Sequence, residues 1–235
     1  MKQQVEEIRE QLRSLGDPER SAGASRYFKE PIKSYGVKSV DVKKIVRQAV
    51  KAFEGEQKDA VFDLCEELFK SGYLEEGGVA SDLAYSQRGR YAPEDFRYFE
   101  RWLEQYVSNW AACDTLCNHS VGEFVEMFPE FIRELKLWTA SPNRWKQRAA
   151  AVTLIIPARK GLFLPDIFDI ADRLLPSTDD LVQKGYGWML KAAGEAHPEA
   201  VFDFLMARRE VMPRTAFRYA LEKLPPDLRR RAMQR

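Results

Sequence analysis

Apolar side chains recur at intervals of three and four residues along nearly the whole of this chain, and that spacing restricts it to packed helices. Val5, Ile8, Leu12 and Leu15 stand at i, i+3, i+7 and i+10, and Val42, Ile45, Val46 and Ala49 repeat the three-and-four spacing. On a helix of 3.6 residues per turn each set forms one apolar stripe that has to be buried against a neighbour. The same reasoning predicts helices over 59–69, 93–106, 129–139, 143–155, 164–175, 180–194, 198–208 and 213–224. Several of these open with proline, which suits a first helical turn because the missing amide proton has no partner there. No run shows the apolar-polar alternation of a half-buried strand, so the chain is expected to be all-α, with 152–157 as a buried helix end.

Three stretches share a layout. Residues 131–155 hold a helix, a polar link at Ser141-Pro142-Asn143 and a second helix with Gln147-Arg148. Residues 167–194 repeat it with Pro176-Ser177-Thr178 and Gln183-Lys184, and 201–224 place Pro213-Arg214 at the same point. Arg148, Lys184 and Arg214 are 36 and 30 residues apart, near the start of successive second helices. A period of this size indicates an α-solenoid of stacked antiparallel helix pairs, HEAT-like, expected as one domain over 1–235. Second helices of such a stack line its concave side, so the three cations would form a row in the groove of a C-shaped array.

Composition fits a soluble chain with a sizeable core: 45% of its 235 residues are hydrophobic and 31% charged, which excludes disorder and collagen. A net charge of +1 alone argues against a nucleic-acid partner. That total hides a split. Residues 1–130 carry 18 Lys+Arg against 24 Asp+Glu, and residues 131–235 carry 19 against 12, so the second half is basic. Residues 1–12 lack the apolar core of a signal peptide and no apolar run approaches the length of a membrane span, which places the expected chain in the cytoplasm. Three cysteines do not make a disulfide framework.

Walker A, GxGxxG, GxSxG and HExxH motifs are absent. Cys113, Cys117 and His119 are the one dense group of soft ligands, but a closed zinc site wants four, and His197 is far away in sequence. Buried thiols, and no metal, are expected. Gly185 and Gly187 inside a helical pattern imply close approach by a neighbouring helix or a ligand. In Asn109-Trp110-Ala111-Ala112-Cys113-Asp114, Trp110 and Asp114 are four apart, which puts an aromatic plane and a carboxylate side by side on one helix face. That pair suits a cationic or cation-developing substrate, although a core tryptophan and a surface aspartate have the same spacing.

Three segments in order, Ser108 to Asp114, Asn143 to Ala150 and Val182 to Lys191, resemble the AlkD-type DNA alkylation repair glycosylases. The likeness extends more weakly to Arg26-Tyr27-Phe28-Lys29 and Tyr35-Gly36-Val37-Lys38-Ser39. It implies removal of cationic N3- and N7-alkylpurines from double-stranded DNA without flipping the base, with no metal or organic cofactor; a groove that surrounds a duplex works as a monomer, which is the expected state. Carried over by position, it implies that Asp114 is the catalytic carboxylate and that Trp110 and Trp188 pack against the lesion deoxyribose. Arg148, Lys191 and Ser39 would hold phosphates, and Lys184 and Arg214 extend that row. Lys191 stands where arginine is common and Ser39 where threonine is familiar, so a weaker phosphate grip is implied. A non-catalytic solenoid for duplex or branched DNA, or a protein-interaction scaffold, remain as other readings of the same helices.

Overall fold

A computed structural model describes residues 2–234 as an all-α protein; Met1 and Arg235 lie outside the described residues. The chain forms two compact units, Met1–Leu116 and Cys117–Arg235, where the repeat pattern implies one array over 1–235. Among the described residues the one β-type pairing is an isolated parallel bridge between Lys33 and Tyr73.

The first unit holds α1 (Lys2–Ser14), α2 (Pro18–Ser25), α3 (Ser39–Ala52), α4 (Lys58–Phe69), α5 (Leu74–Ser86), α6 (Phe96–Gln105) and α7 (Trp110–Thr115). The α1 stripe buries Val5, Ile8 and Leu12 as its spacing requires. Leu15 departs from that stripe: it lies past the helix end and is 46% exposed, because the chain turns at Gly16 so that Asp17 can cap α2 through the Arg20 amide at 3.0 Å. In α3, Ile45, Val46 and Ala49 are buried. The core between α4 and α6 is aromatic: Phe62 meets Tyr98 at 5.1 Å and Trp102 at 5.5 Å, both edge to face. Expected helix 93–106 begins with a 3-10 turn over Pro93–Asp95, tied down by an ion pair of 2.6 Å between Asp95 and Lys58. Helices α2 and α5 fall outside the predicted set.

The chain leaves α7 through a π-helical stretch, Leu116–Val121. The second unit then runs α8 (Gly122–Met127), α9 (Ile132–Trp138), α10 (Arg144–Val152), α11 (Ile155–Arg159), α12 (Leu164–Leu174), α13 (Asp180–Ala196), α14 (Pro198–Ala207), α15 (Arg214–Leu221) and α16 (Pro226–Met233). Predicted helix 143–155 is divided, since Pro157 has no amide proton and its ring crowds the carbonyl four residues back, so α10 ends at Val152. Helices α10, α13 and α15 pack side by side as one layer, with α12 against α9 in the other, which makes this unit a stack of helix pairs.

The repeat of 36 residues extends to individual hydrogen bonds. Asn143 caps α10 by accepting from the Trp145 amide, and Asp179 caps α13 by accepting from the amides of Leu181 and Val182. Gln147 then donates to the Ser141 carbonyl at 2.8 Å, and Gln183 donates to the Ser177 carbonyl at 3.0 Å. Each link is therefore folded back on its own second helix. The Arg144 guanidinium lies 2.8 Å from the Asp179 carboxylate and joins the start of one second helix to the cap of the next.

Candidate DNA-binding and catalytic residues

In the first unit, Trp110 is the first residue of α7, whose start is fixed by Asn109 accepting from the Ala112 amide at 2.9 Å. Its half-buried indole is held on two sides. Nε1 donates to the Tyr27 carbonyl at 3.2 Å, and the ring stacks on Phe28 with centroids 5.2 Å apart and planes 17° from parallel. The segment Arg26 to Lys29 thus meets Trp110 across 83 positions of sequence. Trp110, Phe28, Arg26 and Arg20 line an open cleft of about 750 Å³, with Tyr27 79% exposed at its rim. Asp114, one turn along α7, is 9% exposed. A carboxylate four residues after an aromatic lies on the same helix face, with Cβ atoms roughly 5–6 Å apart. Cys113 and Cys117 are buried free thiols, and His119 is exposed.

Ser39 is exposed at the first position of α3 and borders a second cleft, of about 440 Å³, together with Lys43 and Thr115. The loop that delivers Ser39 is set by two residues absent from the predicted set. Glu75, in the first turn of α5, accepts from the Ser34 hydroxyl at 2.7 Å and from the amides of Tyr35, Gly36 and Val37 at 3.0, 2.8 and 3.1 Å. Glu76, 1% exposed, accepts from the Tyr35 hydroxyl at 2.7 Å and from Arg9 at 2.9 Å. Burial and the Glu76 carboxylate together push the Tyr35 phenol well above its ordinary range. Gly36 has φ 76°, and a Cβ there would meet the Asp17 carbonyl oxygen at 2.1 Å, so no other residue fits. A Glu-Glu pair just before two glycines is the one sequence signal for this anchor.

The second unit holds the other predicted residues. Lys184, Trp188 and Lys191 stand at i, i+4 and i+7 of α13, partly exposed, while Tyr186, Gly187, Met189 and Leu190 between them are buried. One face of α13 therefore carries an indole flanked by two ammonium groups. Lys184 pairs with Asp180 at 3.2 Å. Lys191 pairs with Glu222 at 2.8 Å and lies 5.4 Å from the centroid of the Tyr219 ring. Arg148 is 5% exposed, and its guanidinium donates to the Leu181 carbonyl. A Cβ on Gly185 would sit 3.3 Å from Arg148 Cγ, and one on Gly187 would sit 2.8 Å from Tyr219 Cβ and 2.9 Å from the Ala216 carbonyl oxygen. Gly185 and Gly187 thus both face neighbouring helices, which settles the choice between packing and a ligand in favour of packing. Arg214, at the start of α15, is exposed.

No helix among the described residues is long and apolar enough to cross a membrane. A solved structure of a predicted DNA alkylation repair enzyme from Enterococcus faecalis has the same fold, with a TM-score of 0.80 at 20% identity over 90% of this chain and 97% of that one. The likeness shows that most of the chain shares that all-α fold. No curated protein matches. The sequence model of the family described as DNA alkylation repair enzyme matches residues 8–224, and the chain belongs to that family.

Proposed function

We propose that the protein is a monofunctional DNA glycosylase that hydrolyses the N-glycosidic bond of cationic N3- and N7-alkylpurines in duplex DNA. The observation that carries this reading is Asp114 following Trp110 by one turn on α7, in a member of a DNA alkylation repair family. An alkylated purine already bears positive charge and leaves without a general acid. The deficit to be met is on the sugar, which becomes oxocarbenium-like as the bond breaks. The Asp114 carboxylate stabilises that cation electrostatically and orients the water that attacks the anomeric carbon. Trp110 on α7 and Trp188 on α13 are assigned to the deoxyribose of the lesion nucleotide, where their ring faces attract growing positive charge.

Phosphate contacts are assigned to Ser39 at the start of α3 and to Lys184, Lys191 and Arg214, with Arg148 adding its charge from within the helix layer. The reaction needs neither metal nor organic cofactor and no extrusion of the base, which departs from the usual glycosylase strategy. A monomer acting in the cytoplasm on chromosomal DNA completes the proposal. Base release from methylated duplex by wild type and by Asp114→Asn tests it, as set out at the close of the Discussion. A solenoid that binds DNA without catalysis would show duplex affinity and no release.

A further inference from the structure

The positive charge of the second half is concentrated at its end. Residues 131–207 hold ten Lys+Arg against nine Asp+Glu, whereas residues 208–235 hold nine against three. Ion pairing sharpens the contrast. Along the earlier helices of the second unit, Lys136, Arg144, Lys160, Arg173, Lys184 and Lys191 each lie within salt-bridge distance of a carboxylate. On α15, α16 and the turn between them, Arg214, Arg218, Lys223 and Arg230 are exposed, and none of the four has a carboxylate partner among the described residues.

Their placement is ordered. Arg214 and Arg218 are four apart and both exposed on α15, which buries Ala216, Phe217, Ala220 and Leu221. Helix α16 buries Leu228 and Ala232 and turns Arg229 and Arg230 outward. Arg229 reaches back to the Glu222 carbonyl at the end of α15, at 3.5 Å. Helix α15 also has no acidic residue in its first turn and starts on a cation. The positive end of a helix dipole makes that the unfavourable choice for an isolated helix and the favourable one for a bound anion.

We propose that α15, α16 and the turn between them form a docking surface for the phosphate backbone of duplex DNA, in which Arg218, Lys223 and Arg230 extend the phosphate contact assigned to Arg214 beyond the residues assigned to the lesion nucleotide. The inference rests on the reading of the protein as a DNA-binding repair enzyme, but not on its being a glycosylase. Lys184 and Lys191 must exchange a carboxylate for a phosphate, whereas these four cations neutralise phosphates with no internal pair to break. Duplex binding releases condensed counterions, so each phosphate contact contributes about 0.9 to the slope of log affinity against log salt.

The test uses an unmodified B-form duplex and fluorescence anisotropy over a salt series. The triple variant Arg218→Ala, Lys223→Ala, Arg230→Ala should lower the slope by about 2–3 and weaken binding most at low salt. A control triple of internally paired cations, Lys70→Ala, Lys160→Ala, Arg173→Ala, should leave the slope close to wild type. Arg218→Lys with Arg230→Lys keeps the charge and should keep the slope, which separates loss of contact from loss of fold. An unchanged slope in the first triple, or an equal fall in the control, overturns the proposal. So does binding of an acidic peptide in preference to the duplex by the same four residues. Because the duplex carries no lesion, the outcome is independent of base release, and failure of one reading is distinguishable from failure of the other.

Discussion

The Lys191 ammonium lies 2.8 Å from the Glu222 carboxylate, so the cation assigned to a lesion-side phosphate already has an anionic partner in the folded protein. The same lysine approaches the Tyr219 ring at 5.4 Å, which fixes its direction while Glu222 stays half exposed. An incoming phosphate has to replace that carboxylate. Glu222→Gln should therefore raise duplex affinity and steepen its salt dependence by about one phosphate contact, or about 0.9 in the slope. Lys191→Gln should do the reverse. Anisotropy titrations across salt check both, and equal slopes in all three proteins would remove Lys191 from the binding surface.

Trp110 is oriented by Phe28 and by a backbone carbonyl, so one side-chain substitution removes half of its support. A stacked aromatic pair is worth about 0.5–1.5 kcal/mol beyond its buried area. Phe28→Ala should lower the rate of base release at saturating enzyme while duplex affinity stays within about two-fold, a loss smaller than 1 kcal/mol. Phe28→Tyr should restore the rate. A fall in affinity with an unchanged rate would assign Phe28 to DNA contact instead of positioning.

Two helical glycines should respond in opposite directions to alanine. At Gly187 the new methyl group meets Tyr219 Cβ and the Ala216 backbone under 3.0 Å, and overpacking of this kind costs about 1–3 kcal/mol. At Gly78, in α5, nothing lies within 4 Å of the added Cβ, so the gain in helix propensity should stabilise by about 0.5–1 kcal/mol. Thermal unfolding of Gly187→Ala and Gly78→Ala checks the pair.

Asp169 on α12 receives Arg173 at 2.7 Å and Lys136 of α9 at 2.9 Å. The Arg173 hydrogen bond first, and then that of Lys136, hold its carboxyl below the ordinary range against the opposing effect of burial. A depressed folded value means that the contribution is present above the unfolded value of about pH 4 and lost as pH falls through the folded one. Wild type should unfold at a higher temperature than Asp169→Asn at neutral pH, and the two should converge in acid. A gap that persists at acid pH would assign the contribution to packing.

Much of this architecture is legible in spacing. The stripes of α1 and α3, the prolines at helix starts and the 36-residue period all correspond to packing or hydrogen bonds in the folded chain, and the period reaches as far as the Gln147 and Gln183 side chains. Helix α5 escapes because Gly77-Gly78 mimics a turn, and the capping of Ser39's loop by Glu75 depends on a contact 38 to 41 residues distant. The cation row is the instructive case. Repeat spacing correctly puts Arg148 and Lys184 at equivalent positions of α10 and α13, yet spacing carries no information about burial or pairing. Arg148 turns inward to Leu181 and Lys184 to Asp180, while Arg214 alone of that row is exposed with no carboxylate partner among the described residues; Arg218, Lys223 and Arg230 share that state where no repeat signals them.

The central claim is that Asp114 provides the negative charge that carries the reaction on the sugar. Methylated duplex DNA incubated with saturating wild-type protein should release N7-methylguanine, and Asp114→Asn, an isosteric loss of charge, should slow release on the order of 10²- to 10³-fold with duplex affinity retained. Release by Asp114→Asn at the wild-type rate, or none from wild-type protein that binds the duplex, would contradict it.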